Sequence, residues 1–166
     1  MPGASEKLVA ARELADEIID ELRTVAVRLR PPDLDDLGLV ASLERLVAEA
    51  RRRGFGVGYE AEEMEHVPPP SIALALCRVA QEALTNAERH AHGDHARVQL
   101  SAEPGGITLS VEDNGMGFDM EKVEAATDNV HLGLVGMRER LQIVGGALEI
   151  TTAPGDGTKI VASVPC

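Results

Sequence analysis

The run Leu109-Ser110-Val111-Glu112-Asp113-Asn114-Gly115-Met116-Gly117-Phe118 constrains this chain more than any other stretch. Apolar and polar residues alternate up to Val111, the period of a half-buried strand. The strand then runs into a carboxylate followed by two glycines. Glycine takes up positive φ and lets a backbone or a ligand approach closely. A carboxylate fixed at a strand end can accept a hydrogen bond from an amino group such as that of adenine. Alone the signal is weak, because Asp-Asn-Gly also makes an ordinary turn. Three further pieces occur in order: Glu82-Ala-Leu-Thr-Asn86 upstream, Gly133-Leu-Val-Gly136-Met137 downstream, and Gly155-Asp-Gly157-Thr158 near the end. Together they indicate a nucleotide site.

Each piece has a chemical rationale. Glu82 and Asn86 are four apart on a predicted helix and share a face. An Asn amide oxygen is a hard, neutral ligand suited to Mg²⁺ that keeps several waters and bridges to phosphates. Glu82, one turn earlier, can orient or deprotonate an incoming nucleophile. As an isolated pair they would read as solvated helix polarity; their position before the Asp-Asn-Gly-Met-Gly strand changes that reading. Arg89 and His90, on the next turn, can neutralise phosphate oxygens, although singly each is an ordinary surface cation. Gly133-Leu-Val-Gly136 is expected at a helix start. Unpaired N–H groups there favour an anion by roughly 0.3–1 kcal/mol. No Gly-Lys-Ser/Thr follows, so this is not a P-loop, and the glycine spacing of a dinucleotide fingerprint is missing. Gly155-Asp-Gly157 is a hairpin turn by default, but Thr158 opens the last strand and its hydroxyl can support Asp113 directly or through water. His92 and His95 lack the Cys or further ligands that a zinc site needs.

Around these motifs the predicted elements are a helix leading in from Leu37 to Arg53, a short strand at Phe55, Val57 and Tyr59, and a helix capped by Ser71 and running to about Ala91. Strands follow near Ala96–Ala102 and Gly106–Glu112. Residues 119–132 lack an apolar period and read as a lid-like or disordered loop. A helix from Gly133 to Val144 and strands at Ala147–Thr152 and Thr158–Val164 complete the chain. Helices interleaved with antiparallel hairpins make a two-layer α/β sandwich the economical architecture. Upstream, Leu8, Ala11, Ala15, Ile18, Leu22, Val25 and Leu29 are spaced alternately by three and four, a coiled-coil seam that Pro31-Pro32 ends. The alternative for this segment is an amphipathic helix packed on its own domain.

Composition narrows the partners. With 28 acidic against 16 basic residues and a net charge of −12, neither nucleic acid nor an anionic membrane is expected as a partner. A nucleotide would need local compensation from a metal ion, helix N-termini and a few cations. Two Phe, one Tyr and no Trp in 166 residues leave an aliphatic core. Cys77 and Cys166 form no disulfide framework, so a reducing cytoplasmic setting is expected, and no apolar run reaches the roughly 20 residues of a membrane span.

The four ordered boxes resemble those of the GHKL ATPase superfamily, which includes gyrase, the heat-shock chaperone ATPase, MutL and sensor histidine kinases. Leu29-Arg-Pro-Pro-Asp-Leu-Asp-Asp-Leu-Gly-Leu, Gln81-Glu-Ala-Leu-Thr-Asn-Ala-Glu-Arg-His-Ala and Gly133-Leu-Val-Gly-Met-Arg-Glu-Arg-Leu resemble the NarX/DesK type of histidine kinase. The resemblance implies a Bergerat-type fold, a mixed, mostly antiparallel sheet with helices on one face, over residues 31–166. It implies a partial dimerisation helix over residues 1–30, the second half of a helical hairpin. It further implies ATP and Mg²⁺ as ligands: Asn86 holding the metal, Glu82 assisting proton removal, Arg89 and His90 meeting phosphates, and Asp113 binding the adenine amino group. Gly115 and Gly117 would shape the pocket, and Gly133, Leu134, Gly136 and Met137 would hinge the lid. Residues 1–65 contain no histidine, so the phosphoacceptor would come from a helix outside this chain, with a response regulator downstream. The parent kinase would be cytoplasmic or membrane-anchored, and residues 8–29 would support a homodimer. Two rivals remain: an anti-sigma-factor-type serine kinase, against which the heptad helix and the Arg-Pro-Pro segment argue, and a non-catalytic nucleotide-binding or dimerising module, which the complete boxes disfavour.

Overall fold

Alternating burial along the strands sets the architecture. Ala96, Val98 and Leu100, then Ile107, Leu109 and Val111, then Ile160, Ala162 and Val164 all turn to one face and are nearly inaccessible. Their neighbours Arg97, Gln99, Thr108, Ser110 and Ser163 face the other way. A sheet apolar on one side only must be covered by helices on that side and wetted on the other. The computed structural model has this two-layer arrangement, as the period of two in the sequence requires. It describes residues 32–64, 66–125 and 129–166, so the heptad segment and the dimerisation helix expected over residues 1–30 lie outside the described residues.

Among the described residues the elements are α1 (Pro32–Arg52), β1 (Gly56–Ala61), α2 (Pro70–His90), β2 (His95–Glu103), β3 (Gly106–Asp113), α3 (Met120–Ala125), α4 (Asn129–Ile143), β4 (Ala147–Thr152) and β5 (Thr158–Pro165). The sheet order is β1-β2-β3-β5-β4. β1 is parallel to β2, connected through α2, and the other pairs are antiparallel. The expected mixed, mostly antiparallel sheet is therefore present, and Asp33–Cys166 forms one compact unit.

Helix α2 buries a stripe of Ile72, Leu76, Val79, Ala80, Ala83, Leu84 and Ala87, positions three and four apart that face the sheet. Its many alanines let the helix lie close to β3 and β5. Beside it, α4 buries Leu134, Met137 and Leu141. The core is aliphatic, as the scarcity of aromatic residues demands. Helix α1 adds Leu39, Leu43 and Val47, and its Arg51 guanidinium donates from Nε and Nη2 to the Val57 carbonyl at 2.8 and 2.6 Å. Arg53 makes a two-pronged ion pair with Glu88 of α2, at 2.9 and 2.7 Å.

Several local expectations change. Ser71 does not cap α2: Pro69 is the N-cap, without a side-chain hydrogen bond, and Pro70 stands in the first turn. Proline is preset for that turn because its missing N–H would have been unpaired anyway. The α1 segment is helical on both sides of Gly38, whose φ of 77° and ψ of −177° kink it, so helix begins before Leu37. The stretch 119–132 is not all loop. It contains α3, and α4 starts at Asn129, a full turn before Gly133.

Candidate functional site

Asp113 is the last residue of β3, level with Ala96 on β2 and Thr158 on β5. The site therefore forms where three central strands end or begin. The Asp113 Oδ1 accepts the Gly115 N–H at 2.9 Å, and the Thr158 N–H also donates to this carboxylate. Its half-burial raises the pKa above the ordinary carboxylate range, and Glu112 adds repulsion; the two backbone hydrogen bonds oppose that rise. Thr158 thus supports Asp113 through its N–H, whereas its hydroxyl lies 3.2 Å from the Thr152 hydroxyl. The register sets Thr158 directly opposite both Asp113 on β3 and Thr152 on β4, and its hydroxyl takes Thr152 as a partner.

The glycines around Asp113 are required by contact. A Cβ on Gly115 would overlap Ala91, and one on Gly117 (φ 58°) would overlap the Ala153 carbonyl. The loop is pinned by Met116 N–H to Ala91 O at 2.7 Å and by Gly155 N–H to Met116 O at 2.7 Å. Thr152 clamps it further: its hydroxyl accepts the Phe118 N–H at 3.1 Å and donates to Gly157 O at 2.9 Å. Asn114 is a second tie, accepting the Asp94 and His95 N–H groups at 3.2 and 3.0 Å and donating to the Asp94 carboxylate at 2.9 Å. Sequence reasoning did not single out Thr152 or Asn114. The only signal was an Asn inside an Asx-type turn.

On the helical side, Glu82 and Asn86 face Gly133 of α4. A Cβ there would overlap the Glu82 Oε1 and stand 3.6 Å from Asn86 Nδ2. Glycine at 133 therefore lets α4 rest against the two polar side chains. The Asn86 Nδ2 is buried without a hydrogen-bond partner. Arg89 and His90 are exposed on the last turn of α2, directly before Ala91, which touches the Gly115–Met116 backbone. The structure thus gathers Glu82, Asn86 and Gly133 in one group and Asp113, Gly115, Gly117 and Thr158 in another, joined by the C-terminal end of α2.

The placement of α4 changes the reading of its glycines. Gly133 is the fifth residue of the helix, so Gly133–Gly136 lie within the helical hydrogen-bond ladder and do not open the helix. Leu134 and Met137 are core side chains, 6% and 0% exposed, and can anchor a hinge without touching a ligand. A cavity of about 400 Å³ lies elsewhere, lined by Val40, Glu44, Tyr59 and Met64 among others. None of the site residues lines it.

With this geometry in hand, comparison with known proteins is decisive at one level. Residues 72–166 match the family described as histidine kinase-, DNA gyrase B-, and HSP90-like ATPase. The chain belongs to this family. It is 36% identical over 168 residues to the signal transduction histidine-protein kinase/phosphatase DegS of Brevibacillus brevis, covering 98% of this chain and 42% of that protein. It is 34% identical over 155 residues to the sensor histidine kinase ComP of Bacillus subtilis, covering 93% of this chain and 20% of that protein. Among solved structures, the histidine kinase domain of the Erythrobacter litoralis EL346 blue-light activated histidine kinase superimposes with a TM-score of 0.64. That match has 25% identity and covers 76% of this chain and 60% of that one. The chain therefore spans about two-fifths or less of the length of these curated relatives, and the matched family box contains every site residue named above.

Proposed function

We propose that residues 31–166 are the ATP-binding phosphotransfer domain of a sensor histidine kinase, acting in the cytoplasm, with residues 1–30 as part of a dimerisation helix. The observation that carries this reading is Asp113: a half-buried carboxylate at a strand end, held by two backbone N–H groups and followed by a glycine loop packed tightly on Ala91 and Ala153. Its remaining lone pairs suit the amino group of adenine, and GTP would present a carbonyl there instead.

Asn86 suits a divalent ion. One end of its amide is buried and unpaired, and rotation of the amide exchanges its oxygen and nitrogen. Among the described residues no group of three or more His, Cys, Asp or Glu could hold a metal. An ion at Asn86 would therefore take its other ligands from water and phosphate, as Mg²⁺ does. When bound, Mg²⁺ neutralises phosphate charge and aligns the terminal phosphoryl group. Arg89 and His90 supply positive charge for the same oxygens. Glu82 orients the imidazole of the acceptor histidine and takes its proton. The bond from the γ-phosphorus to the β–γ bridging oxygen breaks, a phosphorus–nitrogen bond forms, and ADP leaves. The acceptor would come from a histidine-bearing helix of the parent kinase, and a response regulator would receive the phosphoryl group.

The relatives' names as sensor histidine kinases support this reading over a serine kinase. The test is transfer from labelled ATP to a separately produced histidine-bearing helix of the parent protein. Label that survives alkali and is released by acid is expected, and Glu82→Gln should slow its appearance about 100-fold or more. Label on serine, or none on histidine with a folded chain, overturns the proposal.

A further inference from the structure

The groove between α2 and α4 does not end at Glu82. One turn back along α2 stands Arg78, and two turns on from Gly133 along α4 stands Arg140. The Arg78 Nη1 donates to the Gln81 Oε1 at 2.7 Å, a neutral partner. Its Nη2 is buried without a hydrogen bond, and so is the Arg140 Nε. No ion pair among the described residues includes either guanidinium. The Arg140 guanidinium lies back over the helix backbone, where a Cβ on Gly136 would stand 3.1 Å from Nη2 and 3.3 Å from Nη1. Gly136, unexplained by the helix-start reading, is what makes room for it.

The two helices pack together with Glu82 against Gly133, which puts Arg78 and Arg140 on the same side of that contact, close enough for their charges to repel. Burial lowers the pKa of Arg78, and the charge on Arg140 lowers it further, yet arginine stays protonated under any physiological condition. Each side chain is only part-buried, but each buries one guanidinium nitrogen that has no hydrogen-bond partner, and a buried unpaired donor is costly. A planar or tetrahedral oxyanion removes that cost at once, because it accepts from both forks and cancels the repulsion. A carboxylate of this chain would do the same, but Glu82, the nearest on α2, is turned to Gly133.

We infer that Arg78 and Arg140 form an oxyanion site of the phosphate class in the α2–α4 groove, seated by Gly136 and lying beyond Glu82 from Asn86. Its occupant is either the terminal phosphate of a bound nucleotide or free inorganic phosphate, which share the same oxygen geometry.

The test is a titration of the full chain with inorganic phosphate at constant ionic strength, followed by ¹H–¹⁵N NMR. Saturable shifts confined to the Gly136 amide and the Arg78 and Arg140 Nε–H signals are expected. They should persist in Asp113→Asn. Arg140→Gln or Arg78→Gln should weaken them by roughly tenfold or more, the loss of a charge-assisted bidentate contact. Gly136→Ala, which needs only a small shift of the guanidinium, should weaken them by a smaller factor and covers the case in which a glutamine variant fails to give a dispersed spectrum. Prior saturation with Mg-ATP separates the sources. Abolished phosphate shifts mean that the nucleotide's own phosphate fills the site, and retained shifts mean that it takes a separate anion. Shifts that do not saturate, that spread over the surface, or that are unchanged in a folded Arg140→Gln chain overturn the inference.

Discussion

The two halves of the candidate site are built in opposite ways. At the sheet end, around Asp113, the polar groups find protein partners: Asn114 is tied to Asp94 and His95, Thr152 to Phe118 and Gly157, and the Asp113 carboxylate to two backbone N–H groups. On the facing surfaces of α2 and α4, the Asn86 Nδ2, Arg78 Nη2 and Arg140 Nε are buried with no partner. Buried polar atoms are nearly always satisfied, so such a cluster confined to one groove is informative. The first half is preformed. The second leaves buried donors without protein partners, and our proposal is that a ligand completes it.

Three changes sharpen this contrast. The largest effect is expected on the preformed side. Gly117→Ala forces an alanine to a φ of 58° and drives its Cβ into the Ala153 carbonyl. The left-handed conformation alone costs about 1–2 kcal/mol, and the overlap should bring the loss to about 3 kcal/mol or more in denaturant unfolding. The same kind of measurement on the other side should give a different sign. Asn86→Leu removes an unsatisfied buried group, so it should be neutral or stabilise the nucleotide-free chain by up to about 1 kcal/mol, while Mg²⁺-dependent transfer disappears. A loss of about 2 kcal/mol in Asn86→Leu would mean that the amide is structurally satisfied and would remove the contrast.

The smallest effect is on pH dependence. The folded chain holds the Asp113 proton more tightly than the unfolded chain, because burial raises its pKa. Protonation at this position therefore favours the fold: the contribution is present below the ordinary carboxylate range and is lost as pH rises through the elevated value. Nucleotide affinity runs the other way, since the ionised form is the acceptor, and should weaken as pH falls through the same value. Asp113→Asn should flatten both slopes relative to the unmodified chain, read by thermal unfolding and by equilibrium binding across acid pH.

Much of the fold was legible in the sequence, for reasons of periodicity. β2, β3 and β5 alternate cleanly because one sheet face is wet, and the α2 stripe repeats every three or four residues because it packs on the other. Gly54 (φ 92°) and Gly145 (φ 74°) end α1 and α4 as turn residues should. What stayed hidden depended on tertiary contact. Asn129-Val-His-Leu has weak helix propensity, yet the half-buried Val130 packs against the core and supports a turn ahead of Gly133. Which atom of Thr158 meets Asp113 depends on the competing Thr152 hydroxyl across the sheet, which a single strand does not encode. Arg78 and Arg140 read separately as ordinary helix cations, and only the antiparallel packing of α2 on α4 reveals them as a pair. The Glu82–Asn86 spacing and the Asp113 glycine loop were visible because their geometry is local.

The central claim is that Asp113 grips the adenine ring. Calorimetric titration of Mg-ATP into the unmodified chain and into Asp113→Asn tests it most directly. The account predicts saturable one-to-one binding in the first and a loss of roughly 100-fold in the second, the cost of a charge-assisted hydrogen bond in a desolvated pocket. Thermal unfolding of the nucleotide-free variant should be unimpaired. Equal affinity for both chains, or equal affinity of the unmodified chain for Mg-GTP, would contradict it.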